Sequence, residues 1–353
     1  MEGCDFLGRT TVYNTISSPE LLKQVLPENL ELGNDFLEYL QSIDRSKNTI
    51  AQYKNDLNIF WCWNLQYNKN KEFVKITKRE FSRFQNHALN EWMWSPKRVR
   101  RVKSTLSSLS NYIENILDEE PEYEGYRAVI RKIESPANTA VREKTVFTKE
   151  ELQSLLDHLV EEKKYMQACV LSLAMNSGRR KAELPRFKVS YFDESNVKFG
   201  SLYQTPEKVK TKGQGSKGKM LELFVFKKEF DPYLKLWLEE RDKLGITSEW
   251  LFPAKINDGW DNSKQVTIET LNSWAAQFAR YLNKDFYWHS LRHFFTTECI
   301  RSNLPASVIQ TIVGWESADM VTLYTDLSIE ETLGQYFDEN GIKVVEQKSL
   351  ADM

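Results

Sequence analysis

Apolar residues in the first third of the chain recur every three or four positions, which is the period of an amphipathic helix. A polar break at residues 44–48 separates two such runs, and Ser46 can cap the second of them. Ser95-Pro96 can open a further helix, because Pro suits the first turn. The apolar positions of the four predicted helices are Phe36, Leu37 and Leu40; Ile50, Tyr53, Leu57 and Phe60; Phe81, Phe84 and Leu89; and Val99, Val102, Leu106, Leu109 and Ile113. These patterns predict an all-α domain over residues 31–134, after an N-terminal extension over residues 1–30.

The pattern changes after a segment over residues 135–147 that is typical of a linker. Thr148 and Glu151 form a capping box, which marks the start of a new helix and of a second domain. Helical periodicity follows at 149–162, 165–176, 231–243, 267–283, 290–302 and 305–313. Between residues 187 and 230, β-branched and aromatic residues alternate around a Gly- and Lys-rich turn at Lys208–Lys219. We therefore expect a mainly α protein with a small antiparallel β-sheet, the second domain covering 148–337 and a tail covering 338–353.

Composition restricts the class of protein only moderately. The 353 residues are 41% hydrophobic and 28% charged, which is ordinary for a globular protein. No apolar run reaches the length of a membrane span, and the N-terminus lacks a signal-peptide pattern. The four cysteines stand far apart, as Cys4, Cys62, Cys169 and Cys299. Their spacing argues against a zinc site or a disulfide framework and favours a cytoplasmic protein.

The distribution of charge is more informative than its sum. A net charge of −2 and a pI of about 6.2 count against a nucleic-acid-binding protein. The fourth predicted helix nevertheless begins with five cations in seven residues: Lys97, Arg98, Arg100, Arg101 and Lys103. A solvated helix face would explain this run. A phosphate backbone would explain it too, and it would account for cations near a helix start, where the dipole does not favour them.

Four short motifs in the second half carry residues suited to chemistry. Ser177–Leu184 reads SGRRKAEL, and residues 289–293 read HSLRH, which places His289 and Arg292 on one helix face. Val313–Ser317 reads VGWES, and Thr322 stands two residues before Tyr324. Trp315 follows Arg292 by 23 residues, and Tyr324 follows Trp315 by nine.

Together these motifs resemble the tyrosine recombinase (phage integrase) family, whose motifs read approximately TGLRxSEL, HxLRH, LGHxS and a Thr two residues before a nucleophilic Tyr. The resemblance is strong over about 147–330 and weaker over the helical domain. It implies a helical, SAM-like core-DNA-binding domain followed by an α+β catalytic domain. It also implies a site-specific recombinase that cleaves and rejoins duplex DNA through a 3′-phosphotyrosyl bond and a Holliday junction, without metal or cofactor. The implied catalytic residues are Arg180, Lys212, His289, Arg292, Trp315 and Tyr324, with Glu183 supporting Arg180.

The residue types suit that chemistry. Two arginines can clamp the oxygens of a phosphorane with forked donors, which lysine cannot imitate. The family protonates the leaving oxygen with a lysine on a β-hairpin. We assign this role to Lys212 and keep Lys210 as the rival or as a phosphate contact. Trp315, where His is commoner, can donate a hydrogen bond but cannot transfer a proton. Arg179, adjacent to Arg180, remains an alternative clamp.

The resemblance also implies partners. We expect binding to duplex DNA with inverted-repeat core sites, a homotetramer in the synaptic complex, and a cytoplasmic, nucleoid-associated protein of Xer or mobile-element type. Residues 329–337 are amphipathic and suit docking on a neighbouring copy or packing on their own chain. Two rival functions share these features: a type IB topoisomerase, and a DNA-binding regulator that keeps the fold without catalysis.

Overall fold

The computed structural model describes residues 16–137, 145–211, 218–257, 259–334, 337–338 and 341–342. The chain divides into two compact units between residues 143 and 144. We call the described residues before this point the helical unit and those after it the C-terminal unit.

The helical unit contains five α-helices, at positions that follow the periodicity of the sequence. They are α1 (Pro19–Leu22), α2 (Pro27–Ser42), α3 (Lys47–Tyr67), α4 (Lys78–Asn90) and α5 (Pro96–Ile116). Short 3₁₀ turns lie at Phe73–Lys75, Pro121–Tyr123 and Val129–Lys132. The predicted cap Ser46 is confirmed, because it accepts a hydrogen bond from Thr49 N. The helix predicted to open at Ser95-Pro96 does so, and Ser95 caps it by accepting a hydrogen bond from Arg98 N.

The core of this unit is built from the predicted apolar faces and is rich in aromatic rings. Phe60 lies at its centre, with ring centroids of Phe81 and Phe84 at 5.6 and 5.0 Å. Ile16 and Val25 are buried in the same core. The expected extension over residues 1–30 therefore contributes part of its length to the helical core, which the sequence pattern had not indicated.

The C-terminal unit is also mainly helical. Its helices are α6 (Lys149–Glu161), α7 (Tyr165–Met175), α8 (Lys227–Lys243), α9 (Ile268–Leu282), α10 (Trp288–Arg301), α11 (Ala306–Val313), α12 (Asp319–Tyr324) and α13 (Ile329–Gly334). Three 3₁₀ turns follow α7, at Leu184–Arg186, Val189–Phe192 and Glu194–Asn196. The capping box of Thr148 and Glu151 at the start of α6 is confirmed. The six-residue helix α12 had no counterpart among the predicted helices.

The strands are short and antiparallel. They are β1 (Val197–Lys198), β2 (Leu202–Gln204), β3 (Val209–Lys210), β4 (Met220–Leu221), β5 (Phe224–Phe226), β6 (Pro253–Ile256), β7 (Gly259–Gln265), β8 (Phe337–Asp338) and β9 (Gly341–Ile342). The order β1-β2-β5 forms one sheet, and β3 pairs with β4, β6 with β7 and β8 with β9. In β3–β4, Val209 faces Leu221 and Lys210 faces Met220, so the predicted long hairpin has its stem here. The β6–β7 hairpin was not predicted.

Two hydrophobic clusters support the C-terminal unit. The larger one joins α6–α10 and the sheet strands. The smaller one lies between α10, α11 and α12, and its members are Phe295, Cys299, Ile309, Ile312, Val313, Trp315 and Val321. Because this small cluster includes Trp315 and packs against Tyr324, it fixes the helices that carry the candidate chemistry.

Candidate active site

The loop after α7 presents Arg180. Gly178 has a φ of +58°, and a Cβ there would lie 2.5 Å from Cδ1 of Phe295, so only glycine fits this close approach. Arg180 Nη1 donates to Glu183 Oε1 at 3.1 Å, and Arg180 N donates to Oε2 of the same carboxylate at 3.1 Å. The side chain of Glu183 is buried, whereas that of Arg180 is 31% exposed. The carboxylate therefore orients a guanidinium that still reaches solvent.

Arg292 projects from α10 and is fully buried. Its Nη1 donates to Gly178 O at 2.8 Å, which joins α10 to the loop of Arg180. Nε and Nη2 have no hydrogen-bond partner among the described residues. Burial, together with the charges of Arg180 and Arg179, lowers the pKa of Arg292. A buried cation with two unused donors is prepared to bind an anion.

Tyr324 ends α12 and contacts two histidines of α10. Its Oη lies 3.1 Å from Nε2 of His289, at hydrogen-bond distance. The ring of His293 has its centroid 4.6 Å from that of Tyr324. Nδ1 of His293 lies 3.5 Å from Oδ2 of Asp326. His289 is therefore placed to accept the phenolic proton in its neutral form.

Trp315 follows the C-terminal end of α11, where Gly314 adopts a φ of +74° and a Cβ would clash with Cδ1 of Leu221 in β4. The indole is 7% exposed, and its Nε1 has no acceptor within the described part of the chain. Its ring centroid lies 5.0 Å from that of Tyr324 and 4.9 Å from Cζ of Arg292. Trp315 thus packs on both of these residues and leaves one donor available.

The two neighbouring arginines of the SGRRKAEL motif differ in environment. Arg179 is 1% exposed, and its guanidinium donates to Ser177 O at 3.1 Å and to Ile312 O. Its donors therefore point to backbone carbonyls inside the unit, whereas Arg180 is the one that reaches solvent. This placement favours Arg180 over the alternative clamp Arg179.

The lysine hairpin is described only at its stem. Lys212 lies outside the described residues. Lys210 lies in β3, and its carbonyl accepts a hydrogen bond from Arg186. Lys219 Nζ lies 3.4 Å from Gly314 O and 3.6 Å from Oε1 of Glu316. The stem therefore contacts the turn that carries Trp315, a contact that nothing in the sequence pattern indicates.

The basic start of α5 lies in the helical unit, and most of its cations are engaged there. Arg101 forms an ion pair of 2.6 Å with Asp56, whose side chain is fully buried. Arg100 donates to Pro136 O at 2.8 Å, and Lys103 donates to Ile133 O and to Ser135 Oγ. Arg98 lies over the ring of Trp94 at 4.0 Å. Lys97 is exposed.

The structure thus brings Arg180, His289, Arg292, Trp315 and Tyr324 into one site in the C-terminal unit. Guanidinium and indole donors next to a tyrosine hydroxyl can bind a phosphate diester and stabilise added negative charge on it. The sequence did not predict that Asp326 lies beside His293. That contact depends on how the chain turns after the short helix α12, for which the sequence had no signal. Among the described residues, no cluster of His, Cys, Asp or Glu could hold a metal ion, and no helix is long and apolar enough to span a membrane.

Comparisons with known proteins agree with this arrangement. A model of the phage integrase family matches residues 145–331, and a model of the phage integrase N-terminal SAM-like domain matches residues 32–121. The SPbeta prophage-derived recombinase-like protein YomM of Bacillus subtilis (strain 168) is 32% identical over 280 residues, which are 79% of each chain. A tyrosine recombinase of Thermosipho africanus (strain TCF52B) is 24% identical over 86% of this chain and 96% of its own.

Solved structures share the fold. XerH site-specific recombinase bound to a palindromic difH substrate superimposes with a TM-score of 0.63 at 17% identity, over 89% of this chain and 85% of that one. A lambda integrase tetramer bound to a Holliday junction gives a TM-score of 0.60 at 14% identity, over 84% of this chain and 76% of that one.

Proposed function

Because this chain belongs to the phage integrase family and is a tyrosine recombinase, a DNA breaking and rejoining enzyme, we propose that Tyr324 is its nucleophile in site-specific recombination of duplex DNA. The observation that carries the proposal is the hydrogen-bond distance of 3.1 Å between Tyr324 Oη and His289 Nε2, beside two arginines and an indole.

The proposed cleavage step uses these contacts. Tyr324 Oη attacks the scissile phosphorus while its proton passes to neutral His289, and the bond from phosphorus to the 5′-oxygen breaks. The product is a 3′-phosphotyrosyl bond, which keeps the energy of the diester. A 5′-hydroxyl from another strand attacks that bond in the reverse reaction, and exchange of strands gives a Holliday junction.

Arg180 and Arg292 are proposed to hold the two non-bridging oxygens, which gain charge in the transition state. Arg292 supports this role through Nε and Nη2, which no described residue binds. Trp315 would add its Nε1–H as a further donor and hold Tyr324 in place by ring packing. Such fixed donors usually contribute the largest part of transition-state stabilisation.

The leaving 5′-oxygen needs a proton, and we propose that Lys212 supplies it, with Lys210 as the rival. The contact of Lys219 with the turn of Trp315 supports the hairpin as the source, because it keeps the stem beside the site. No metal or cofactor takes part in this scheme.

The proposed substrate is duplex DNA with inverted-repeat core sites, bound by a homotetramer at the nucleoid, in the cytoplasm. The difH complex of XerH and the Holliday-junction tetramer of lambda integrase support this by likeness. Lys210 and, at the start of α5, Lys97 and Arg98 are proposed to contact phosphates. The other candidates from the sequence, Arg100, Arg101 and Lys103, bind groups of their own chain in the free protein. For residues 329–337, the bond of 2.8 Å that Arg301 of α10 donates to Glu331 of α13 supports packing on their own chain, and docking on a neighbouring copy is the alternative proposal.

The domain organisation is proposed in the same way. The helical core-binding domain covers 31–134, the linker 135–147 and the catalytic domain 148–337, after an extension over 1–30 and before a tail over 338–353. The division of the chain between residues 143 and 144 supports a linker at this place.

The test is covalent trapping on nicked suicide duplexes, with the core sequence selected from a random pool by binding to the purified protein. Wild type is expected to form an adduct that survives denaturing electrophoresis, and Tyr324→Phe is expected to form none. Tyr281→Phe is the matched control, because Tyr281 Oη bonds to Ser154 on α6, away from the site, and this variant should keep the adduct. Equal amounts of adduct from wild type and Tyr324→Phe would refute the proposal, and the absence of any wild-type adduct would favour a silent regulator.

A plasmid assay separates recombination from simple relaxation of DNA. A supercoiled plasmid with two selected sites should give recombinant circles, and a plasmid with one site should not. Relaxation of both plasmids without recombinants would identify a type IB topoisomerase activity instead.

A further inference from the structure

Arg179 is a buried cation for which the proposed chemistry gives no role. A guanidinium that is 1% exposed loses nearly all its hydration, and such a loss destabilises the fold unless other groups replace the water. An apolar side chain of similar size would avoid this cost. The environment of Arg179 must therefore contain hydrogen-bond acceptors that an apolar side chain would leave unpaired.

The partners of Arg179 are neutral carbonyls. Its Nε donates to Ser177 O and its Nη2 donates to Ile312 O. The nearby carboxylate of Glu183 is bonded to Arg180. Burial is the main cause of the lowered pKa of Arg179, and the charge of Arg180 adds to it. Arg179 is therefore held by carbonyl dipoles and forms no direct ion pair with any described residue.

Ile312 O has a special position, since it is one of the last carbonyls of α11. The final four carbonyls of a helix lack partners within the helix, and they form the negative end of its dipole. Gly314 N and Trp315 N both turn back to Gln310 O, at 2.8 and 3.0 Å. Arg179 thus caps the end of the helix at the point where the chain turns into Trp315.

The other end of Arg179 belongs to the loop that carries Arg180. Arg292 contacts both parts, because it donates to Gly178 O and lies under the indole of Trp315. Arg179 therefore connects the loop of one clamp residue to the turn of the indole donor, behind the surface that would bind phosphate.

We propose that Arg179 is a positioning residue that fixes the turn of Trp315 relative to Arg180 and Arg292, so that their donors are arranged before DNA binds. This inference rests on the proposed function. A misplacement of about 1 Å among reacting groups can lower a rate on the order of 10²-fold, so loss of this connection should affect the chemical step.

The experiment compares Arg179→Met with wild type in two assays on the same selected duplex. Affinity is measured by titration of intact duplex, and the single-turnover rate of adduct formation is measured at saturating suicide duplex. We expect Arg179→Met to lower the rate about 10- to 100-fold while affinity changes little, because the misplaced groups act in the chemical step. Arg179→Lys keeps a charge and one donor toward Ile312 O, so it should recover part of the lost rate.

Arg241 provides the matched control. It is also buried, and its partners among the described residues are backbone carbonyls, those of Ser248, Trp250 and Leu251, at 2.7, 2.9 and 3.0 Å. These partners lie in the segment between α8 and β6, outside the site. Arg241→Met should lower thermal stability without changing the adduct rate, measured at a temperature where each variant is folded.

A double-mutant cycle identifies the route of the effect. If Arg179 acts through Trp315, then Arg179→Met should cost much less in a Trp315→Phe background than in wild type. Equal costs in both backgrounds would overturn the inference, and so would an Arg179→Met variant that loses stability as Arg241→Met does but keeps its rate.

Should Arg179→Met not fold, Arg179→Lys serves in the same cycle. An inactive wild type would contradict the proposed function, whereas an active wild type with an unaffected Arg179→Met would contradict this inference alone.

Discussion

Two groups of basic residues, one in each unit, look alike in the sequence and are used differently in the structure. In the C-terminal unit, Arg292 is buried and keeps Nε and Nη2 without a partner among the described residues. In the helical unit, Arg101, Arg100 and Lys103 at the start of α5 already bind groups of their own chain. The number of cations in a stretch of sequence is therefore a poorer guide to ligand binding than the number of hydrogen-bond donors that have no acceptor after folding.

The contrast follows from the acceptors that lie near each group of cations. At α5, a buried carboxylate and the carbonyls of residues 133 and 136 are within reach, so the cations complete the fold of the helical unit. Around Arg292, the neighbours include two more arginines, and the carboxylate of Glu183 binds Arg180. Buried donors that face no acceptor are costly to a folded protein, and a ligand that binds them recovers that cost.

The largest effect is expected from Arg292→Lys. Lysine keeps the charge but loses the forked donors, so the rate of adduct formation should fall on the order of 10²- to 10³-fold, as when one transition-state donor is removed. The measurement is single-turnover trapping at saturating suicide duplex. Arg101→Lys, the same change in the other basic group, should leave that rate nearly unaltered. Comparable losses in both variants would remove the distinction between the two groups.

The next effect concerns stability and should be confined to the helical unit. Asp56 is fully buried and binds Arg101 and Thr105, at 2.6 and 3.0 Å. Asp56→Ala leaves the buried Thr105 hydroxyl without its acceptor and Arg101 without its ion pair, so it should lower the free energy of unfolding by about 2 kcal/mol. Burial raises the pKa of Asp56, which means that its charged form is costly here, and Asp56→Asn should therefore cost less than Asp56→Ala.

Urea unfolding of the whole chain, followed by far-UV circular dichroism, provides the measurement. The control is Glu72→Ala, which breaks the exposed pair of Glu72 and Lys75 and should cost less than about 1 kcal/mol. If both alanine variants unfold at the same urea concentration, the acid beside α5 is not structural and Arg101 would be available to DNA.

The sequence predicted the parts of this molecule that depend on local signals. Ser46 and Thr148 each cap the helix that follows them, because a cap needs only a side chain and the next turn. The β6–β7 hairpin had no such signal. Apart from Gly259 and Trp260, its second strand, GWDNSKQ, is polar, and it is held by pairing with β6 and by the contact of Trp260 with Trp237.

The candidate site was predictable to the same extent, where it depends on local sequence. The motifs identified Arg180, His289, Arg292, Trp315 and Tyr324, but they could not tell which of the two adjacent arginines faces solvent. That choice depends on Ile312, which is 133 residues from Arg179 in the chain. The partners of Lys103 are likewise about 30 residues away, so the run of cations gave no sign that the fold would use it.

The smallest expected effect separates cations of α5 that remain available from those that are engaged. Lys97 is exposed and has no bonded partner among the described residues, whereas Arg101 is held by Asp56. Each cation that contacts a phosphate raises the salt dependence of DNA binding by about one unit of slope. Lys97→Gln should therefore reduce the slope of log affinity against log salt by about one and weaken binding several-fold, and Arg101→Gln should leave the slope unchanged. Titrations of one duplex at several potassium chloride concentrations measure both. If Arg101→Gln reduces the slope as much as Lys97→Gln does, then Arg101 leaves Asp56 to bind DNA, and the ion pair of Arg101 with Asp56 is present in the free protein only.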